Sequence, residues 1–499
     1  MNLFPPHLCD FYKVGHAPMY PYRTEFIYSY LMPRSDARAL ALPDFDHKVV
    51  AAGFQGVIQW LFIDLWNNNF FKRPLAEVLA RYQNRMDGSL GAGKVSTDNI
   101  ESLHRLGYLP LHIKALPEGS RVGMKVPLLT IVNTHPAFGW LTNYMETMLS
   151  AECWKTITAA TTAYEYRRLL DRYAALTGAP TAFVPWQGHD FSMRGMSGIH
   201  DAAQTGLGHL LSFTGTDTIP AIDYACEYYQ GNGTFVGGSV PASEHSVMCA
   251  DGKAGEEETF RRLMRAFPVG VLSVVSDTWD FWKVVTTVAA NLKPEILARQ
   301  PDASGQAKLV FRPDSGDPVK IICGDPEAEA GTPAFKGAVQ CLWEVFGGTT
   351  NAAGFKVLDS HVGLIYGDSI TLDRAQRILQ GLHAAGYASS NIVFGIGSFT
   401  YQYATRDNFG QAVKASYAVV DGVGRELAKD PITDHGKKSV KGLLRVERNQ
   451  KGDFILFDQQ TLEEEKRGEL RTIFRDGVAS NVESIARIRD RLHPEGFAG

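Results

Sequence analysis

The sequence predicts an α/β protein, with a β/α barrel-like domain beside a smaller α+β domain made from the N- and C-terminal parts of the chain. Three observations support this. Short β-branched segments alternate with helical patterns through the middle of the chain, and polar residues gather where each segment ends. The segments are apolar on both faces, which is typical of parallel strands covered by helices.

The alternation begins near residue 210 and continues to about residue 400. Residues 210–213 lead into Gly215 and Asp217, and a helical pattern follows through Tyr229. Further strands are predicted at 271–277, 308–312, 361–366 and 391–394. Two of the intervening segments show apolar residues at helical spacing, namely 281–292 and 375–382.

Acidic residues stand where the predicted strands meet their helices. They are Asp217, Asp277, Asp314 and Asp368. In a β/α barrel those strand ends form one face, where active sites lie, so we expect the four carboxylates in one cleft. Each could instead be only the N-cap of its helix. The presence of Arg312 and glycine-rich turns nearby favours a site.

The two ends of the chain have different patterns. A strand is predicted at 23–31, and a β-hairpin at 443–457 with Gly452 in its turn. We therefore expect residues 1–150 and 401–499 to form the α+β domain, and residues 151–400 to form the catalytic barrel-like domain.

Composition excludes several classes of function. The 499 residues carry a net charge of −4, which gives no reason to expect a nucleic-acid or membrane partner. The six cysteines form no C-x-x-C pair, so we predict no protein-held metal site and a reducing, cytoplasmic location. We expect no signal peptide. The apolar segment 51–66 contains polar residues and fits a buried helix better than a membrane span.

A series of motifs spans nearly the whole chain. The motifs cover residues 10–16, 28–34, 189–195, 215–218, 239–246, 312–316, 367–368, 405–407 and 429–431. In sequence and in order they resemble those of the nicotinamide phosphoribosyltransferases, within the type II phosphoribosyltransferase family.

The resemblance implies a homodimer with active sites at the subunit interface. It also implies transfer of phosphoribose from phosphoribosyl pyrophosphate to nicotinamide, giving nicotinamide mononucleotide and pyrophosphate. The pyridine nitrogen brings its own lone pair, so no general base is required. The protein must position both reactants and neutralise the leaving group.

For the base, the resemblance implies a pocket between two aromatic rings, Phe191 and Tyr12 of the partner subunit. Asp217 is expected to accept a hydrogen bond from the carboxamide and to repel the carboxylate of nicotinate. Ser239 and Val240 are expected to line the same pocket.

For the phosphoribosyl group, the resemblance implies that Asp314 and Asp368 bind the ribose hydroxyls. Arg194 and Arg312 are expected to bind a phosphate, or in the case of Arg312 the carboxamide region. Backbone N–H groups at strand ends would hold the 5′-phosphate, and pyrophosphate with Mg²⁺ would lie near basic residues, Arg34 coming from the other subunit. The residues expected at the 5′-phosphate are Gly367, Gly395, Gly397 and Ser398. The basic residues expected near pyrophosphate are Arg34, Arg406, Lys414 and Lys429.

His245 matches the family's phosphorylatable histidine. The resemblance implies that ATP phosphorylates it and that hydrolysis of the phosphohistidine is coupled to synthesis. Asp277 is the expected partner that orients the imidazole. A lone histidine is more often structural, and that interpretation stays open at this point.

Three alternatives compete with this hypothesis. A nicotinate phosphoribosyltransferase would place a cation opposite the pyridine substituent, where Asp217 is expected. A divalent-metal lyase would use the clustered aspartates but leave Arg194, Arg312 and Arg406 without a role. A non-enzymatic binding protein would have no use for His245 beside the same aspartates.

Overall fold

The computed structural model describes residues 3–39, 44–428 and 440–497. Its strands form a parallel sheet, a large antiparallel sheet and three small pairs. In chain order they are β1 (Thr24–Met32), β2 (Lys48–Val50), β3 (Leu111–Ala115), β4 (Arg121–Gly123), β5 (Leu129–Asn133), β6 (Gly188–Asp190), β7 (Gly215–Thr216), β8 (Leu272–Val275), β9 (Leu309–Arg312), β10 (Gly348–Thr350), β11 (Lys356–Leu358), β12 (Val362–Tyr366), β13 (Val393–Ile396), β14 (Ala412–Val420), β15 (Val423–Glu426), β16 (Leu443–Arg448), β17 (Phe454–Gln460), β18 (Arg471–Arg475) and β19 (Val478–Ala479).

Helices cover the parallel sheet and one side of the antiparallel sheet. The α-helices of eight or more residues are Leu75–Leu90, Asp98–Leu106, Glu146–Thr177, Ile199–Leu210, Ile219–Tyr228, Glu256–Ala266, Ala338–Phe346, Leu372–Ala384 and Ile485–Leu492. Shorter α-helices are Phe54–Val57, Gly139–Tyr144, Val184–Gln187, His245–Cys249, Phe281–Lys283, Ala289–Asn291, Lys293–Leu297, Pro318–Cys323, Pro333–Lys336, Ser398–Tyr401 and Leu462–Glu465. Wider π-helical turns occur at Ile58–Leu65, Asn67–Phe71 and Val284–Val288.

The parallel sheet has the order β7-β6-β13-β12-β9-β8, and every neighbouring pair is parallel. This confirms the β/α alternation. One predicted strand is wrong, because the helix Ile199–Leu210 ends there, residues 211–213 form the turn that follows it, and only Gly215–Thr216 is a strand. A short apolar segment suits a buried helix end as well as a strand, so periodicity could not separate the two.

Residues 238–242 connect the two edges of the parallel sheet. Gly238 forms a parallel bridge with Gly215 of β7, and Ala242 forms one with Ser273 of β8. The adjoining Ser243 extends the connection, since its N–H donates to the Ser273 carbonyl at 2.9 Å. The sheet is therefore closed by an irregular segment, as a barrel-like domain requires.

The antiparallel sheet has the order β15-β14-β1-β5-β3-β18-β19 and takes strands from both ends of the chain. This confirms the α+β unit, and β16 and β17 form the predicted hairpin with Gly452 in its turn. The boundaries near residues 150 and 400 stay predictions. The first of them falls within the 32-residue helix Glu146–Thr177, whose buried side chains contribute to the cores of both units.

The apolar segment 51–66 is a buried helical segment, as the sequence predicts. Phe54, Ile58, Leu61 and Phe62 are each at most 2% exposed and belong to the core beside the antiparallel sheet. None of the helices in the described residues combines the length and apolar character that crossing a bilayer demands.

Ser243 offers a test of how the sheet is closed. Its buried hydroxyl oxygen accepts the Val275 N–H at 3.0 Å. Ser243→Ala leaves that N–H unpaired, so we expect the free energy of unfolding to fall by about 1–3 kcal/mol. Urea unfolding measures the loss. Ser246→Ala, at an exposed neighbour, is the control and should stay within about 0.5 kcal/mol of the wild type; equal effects of the two changes would contradict the assignment.

Candidate active site

Most of the predicted site residues follow parallel strands at one end of the sheet. Phe191 follows β6, Asp217 follows β7 and Asp277 follows β8. Arg312 ends β9 just before Asp314, Asp368 follows β12, and Ser398 follows β13. The carboxyl ends of parallel strands share one edge, which explains why residues far apart in sequence meet.

The four aspartates are not the N-caps of the helices that follow them. Those positions are taken by Thr218, Asp280, Asp317 and Thr371. The simple capping interpretation is therefore wrong for Asp217, Asp277, Asp314 and Asp368, and their carboxylates are left for other contacts.

Asp217 is held by two neighbours through the same oxygen. His189 Nε2 lies 2.9 Å from Asp217 Oδ1, and the Ser239 hydroxyl donates to that oxygen too. Burial raises the pKa of Asp217, but the bonds from His189 and Ser239 and the charge of Arg312 outweigh it, so the pKa lies below its ordinary value. Asp217 is therefore ionised at neutral pH, with Oδ2 bonded to none of the described residues.

Phe191 lies between His189 and Arg312. The Phe191 and His189 ring centroids are 4.8 Å apart, and Arg312 Cζ lies 5.9 Å from the centre of the Phe191 ring. Behind the ring, a Cβ placed on Gly395 would come within 2.6 Å of Phe191 Cδ2. The aromatic face is thus set by a close approach of backbone that only glycine allows.

Arg312 is mostly buried among acidic groups. The Arg312 guanidinium donates to the Ser243 carbonyl, and the Arg312 backbone N–H donates to Ser276 Oγ at 3.2 Å. Burial lowers the pKa of Arg312, while the nearby carboxylates of Asp314, Asp217 and Asp277 oppose that shift. The guanidinium is therefore close enough to Asp217, Asp277 and Asp314 for their charges to act on it.

The second group consists of His245, Asp277 and Asp314. His245 Nε2 lies 3.3 Å from Asp314 Oδ1 and 3.8 Å from Asp277 Oδ1, and Nδ1 lies 3.1 Å from Thr278 Oγ1. Ligand atoms of the three residues all lie within 4.8 Å of one another. Such a group has the geometry to hold a cation, and the sequence predicts no metal site.

Both Asp277 and Asp314 lie near His245, and the orienting role of Asp277 stays a prediction. Asp277 Oδ2 accepts the backbone N–H groups of Asp314 and Ser315 at 3.0 and 2.9 Å, so it fixes the loop that carries Asp314. Asp314 makes the shorter contact to His245. Burial and the adjacent charge of Asp277 raise the pKa of Asp314, although His245 opposes the shift.

The glycine-rich turns lie beside these groups. A Cβ on Gly367 would lie 3.4 Å from Asp314 Cβ and 3.6 Å from Arg312 Cδ. Gly397 precedes the short helix that begins at Ser398, and Gly195 packs directly on the Ser398 side chain. Arg194, exposed in the turn before Gly195, therefore lies next to the loop after β13.

The other predicted basic residues lie in the antiparallel sheet or beside it. Arg34 Nε donates to the Gly410 carbonyl at 2.7 Å, and Arg406 lies in the turn that leads to that glycine. Lys414 Nζ lies 3.5 Å from Glu146, which also binds Lys13 beside Tyr12. The segments that carry Arg34 and Arg406 thus pack together in one chain, although Arg34 alone was expected from the other subunit. Lys429 lies outside the described residues.

Sequence reasoning missed His189, Ser243, Ser276 and Thr278 as side chains that hold the site. His189 begins a recognised motif, but its contact with Asp217 joins two strands that are 28 residues apart. The serines and Thr278 carry no pattern of their own, since hydroxyl residues are common at strand ends. Only the arrangement of neighbouring strands identifies them.

Comparison with known proteins identifies the family of the chain. The family model described as the nicotinate phosphoribosyltransferase (NAPRTase) family matches residues 186–482. The chain is 60% identical over 490 residues to a nicotinamide phosphoribosyltransferase of Acinetobacter baylyi, covering 98% of this chain and 97% of that protein. It is 34% identical over 461 residues to a protein of that name from Mycoplasma pneumoniae, covering 87% and 94%.

The chain belongs to the nicotinate phosphoribosyltransferase family. It is therefore a phosphoribosyltransferase, a pentosyltransferase enzyme, and the resemblance seen in the motifs is confirmed. The metal lyase and the non-enzymatic binding protein no longer compete with this assignment.

Solved structures agree with the fold of the family. A nicotinate-nucleotide pyrophosphorylase from Pyrococcus furiosus aligns with a TM-score of 0.58 at 14% identity, over 99% of this chain and 95% of that one. A human nicotinic acid phosphoribosyltransferase aligns with a TM-score of 0.55 at 15% identity, over 97% and 91%. At these identities the match concerns the fold alone.

Gly395→Ala tests the close packing behind Phe191. The added methyl would lie 2.6 Å from Phe191 Cδ2, 2.8 Å from the Tyr366 carbonyl oxygen and 2.9 Å from Gly367 Cα. We expect both the ring and the loop at Gly367 to move, and kcat/KM to fall by roughly 100-fold. Gly123→Ala, which has no neighbour within 4 Å of its Cβ position, is the control. Unchanged kinetics in Gly395→Ala would show that the ring position does not matter.

Proposed function

We propose that this enzyme transfers phosphoribose from phosphoribosyl pyrophosphate to nicotinamide, releasing nicotinamide mononucleotide and pyrophosphate. The observation that carries the proposal is the ionised Asp217 at the mouth of the barrel, with Oδ2 available and Phe191 close by. The names of the Acinetobacter and Mycoplasma relatives support the same substrate.

The base would lie against the Phe191 ring, with Tyr12 of the partner subunit on its other face. Asp217 Oδ2 would accept the carboxamide N–H, since Oδ1 is already occupied by His189 and Ser239. Val240, next to Ser239, would line the pocket. A nicotinate carboxylate at the same place would face a negative charge at close range.

The pyridine nitrogen then attacks C1 of the ribose as the C1–O bond to pyrophosphate breaks. Asp314 and Asp368 would accept hydrogen bonds from the ribose hydroxyls. The 5′-phosphate would be bound by the loops at Gly367 and Gly397–Ser398 together with Arg194. Pyrophosphate would be neutralised by four basic residues: Arg34, Arg406, Lys414 and Lys429.

Mg²⁺ is proposed as the cofactor that accompanies pyrophosphate. Asp277 Oδ1 is buried without a hydrogen-bond partner and lies in the group with Asp314, so two carboxylate oxygens of the kind that Mg²⁺ prefers are available. When bound, the ion would offset the negative charge of the leaving group.

ATP is proposed to phosphorylate His245. A carboxylate can only accept, so the contact with Asp314 places the proton on Nε2, and Nδ1 accepts from the Thr278 hydroxyl. Nδ1 would thus attack the γ-phosphorus of ATP, releasing ADP, and water would later hydrolyse the phosphohistidine.

A homodimer with shared sites is proposed from the positions of Tyr12, Arg34, Arg406 and Lys414 in and beside the antiparallel sheet. Tyr12 is 63% exposed and shares the Glu146 neighbourhood with Lys414, on the antiparallel sheet. If this surface meets the barrel mouth of a second copy, then Tyr12, Arg34, Arg406 and Lys414 all arrive from the partner together.

A cytoplasmic location is also proposed. The six cysteines are all free, which supports a reducing compartment.

The second candidate function is transfer to nicotinate. Arg312 favours it, because this cation lies beside the Phe191 ring and near Asp217. The proposal places Arg312 instead against the carboxamide oxygen or a phosphate. The two candidates differ in which charge faces the pyridine substituent, and a competition assay separates them.

The competition assay offers equal nicotinamide and nicotinate with phosphoribosyl pyrophosphate and Mg²⁺, and mass spectrometry reads the products. We expect nicotinamide mononucleotide from the wild type, and an amide-to-acid product ratio about tenfold lower in Asp217→Asn, equivalent to about 1.4 kcal/mol. The exposed Asp373→Asn is the control. Nicotinate mononucleotide as the main wild-type product would replace the proposal with the second candidate.

His245→Ala tests the coupling to ATP. Without the nucleophile we expect ATP hydrolysis to fall to background and ATP to give no increase in product yield. Binding of phosphoribosyl pyrophosphate, measured by calorimetry, should stay within about threefold of the wild type. Persistent ATP-driven synthesis in this variant would refute the phosphohistidine.

Complementation tests the shared site. Tyr12→Ala and Asp217→Ala chains, each nearly inactive alone, are mixed under conditions that allow subunit exchange. One intact site per mixed dimer should restore up to about a quarter of wild-type activity, because half of the dimers are mixed and each has one of two sites. No recovery despite proven exchange would place the whole site within one chain.

A further inference from the structure

Arg489, in the C-terminal helix Ile485–Leu492, is a buried guanidinium bound to backbone carbonyls. Nε donates to the Leu210 carbonyl at 2.7 Å, and Nη2 donates to the carbonyls of Val236 and, at 3.4 Å, Phe213. Within the described ranges, no carboxylate lies within 4 Å of it. Burial lowers the pKa of Arg489 to about 10, so the group is still charged at neutral pH.

The carbonyls belong to the two segments that lead to the base pocket. Phe213 lies four residues before Asp217, and Val236 lies three residues before Ser239. Beyond Arg489 the segments are joined directly, because Gly238 N–H donates to the Thr214 carbonyl at 2.9 Å and Thr216 N–H donates to the Gly238 carbonyl at 2.9 Å.

The series of contacts ends at the pocket itself, where the Ser239 hydroxyl donates to Asp217. Arg489 therefore connects the two segments at one end, the backbone bonds of Thr214, Thr216 and Gly238 connect them in the middle, and the Ser239–Asp217 bond connects them at the substrate end. A change in the distance between the two segments at Arg489 would therefore be passed through these contacts to the Ser239–Asp217 bond.

Burying a charged side chain costs desolvation free energy, so stability alone does not explain Arg489. An apolar side chain of similar size often stabilises a protein as well as a buried ionic group does. A single guanidinium, however, donates to three carbonyls at set angles, which apolar packing cannot do. This argues for a geometric role.

We propose that Arg489 is a positioning residue for the base pocket, which sets the spacing of the two segments that carry Asp217 and Ser239. The inference rests on the proposed function of that pocket. It predicts that changes at Arg489 weaken binding of the pyridine base more than binding of phosphoribosyl pyrophosphate, whose expected ligands lie mostly after other strands.

Arg491 in the same helix provides a matched control. Its guanidinium pairs with Glu483 at 2.6 Å and donates to the Glu118 carbonyl, so it fastens the helix without contacting either pocket segment. Arg491→Gln and Arg489→Gln therefore both weaken docking of the helix, but only the second releases the Phe213 and Val236 carbonyls.

The experiment measures thermal midpoint, KM for nicotinamide and KM for phosphoribosyl pyrophosphate in full-length wild type and both variants. We expect Arg489→Gln to raise KM for nicotinamide roughly tenfold while KM for phosphoribosyl pyrophosphate changes less than about threefold. Arg491→Gln should lower the thermal midpoint with both KM values near wild type. Arg489→Lys keeps a donor and should recover part of the loss.

An unchanged nicotinamide KM in a folded Arg489 variant would overturn the inference, as would equal changes in both KM values. If Arg489→Gln does not fold, Arg489→Lys decides the matter by the same criteria. If the wild type uses nicotinate instead, the proposed function fails, and the same comparison with nicotinate as the base tests Arg489 separately.

Discussion

Closure of the parallel sheet is the constraint on which the rest of the site depends. The segment at residues 238–242 bridges β7 on one side and β8 on the other, so the carboxyl ends of all the parallel strands surround one space. The same segment carries Ser239, whose hydroxyl donates a hydrogen bond to Asp217 beyond the end of β7. Without this segment the sheet would be open, and the Asp217 pocket would be separated from the acidic group at His245 by the full width of the sheet.

The closed arrangement concentrates charges that would repel one another in isolation. Asp217 keeps a low pKa because His189, Ser239 and Arg312 offset its burial, whereas the pKa of Asp314 rises beside Asp277. Arg312 is influenced by the carboxylates of both groups and is itself partly desolvated. Opposite shifts of two carboxylates within one cleft are typical of functional sites, because a structure selected for stability alone would avoid them.

The antiparallel sheet is the second part of the fold that bears on the proposed site. Its strands come from both ends of the chain. Lys414 lies on β14, Arg34 and Arg406 lie in the segments next to β1 and β14, and Tyr12 lies in a helical turn near the N-terminus. In the proposed homodimer these residues would reach the barrel mouth of a second copy of the chain. The C-terminal helix packs against the barrel instead, where Arg489 donates to backbone carbonyls of the segments that precede Asp217 and Ser239.

The sequence by itself determined the β/α alternation, the α+β unit from both termini, the buried character of residues 51–66 and the residues that meet at the strand ends. Those features follow from periodicity and from motifs, which are local. Tertiary structure alone decided that 210–213 ends a helix, that an irregular segment closes the sheet, and that His189, Ser243 and Thr278 support the site. It also placed Arg34 beside Arg406 and Asp314 nearer than Asp277 to His245. These depend on which strands become neighbours, and strand neighbours are chosen by packing across the whole chain rather than by any local pattern.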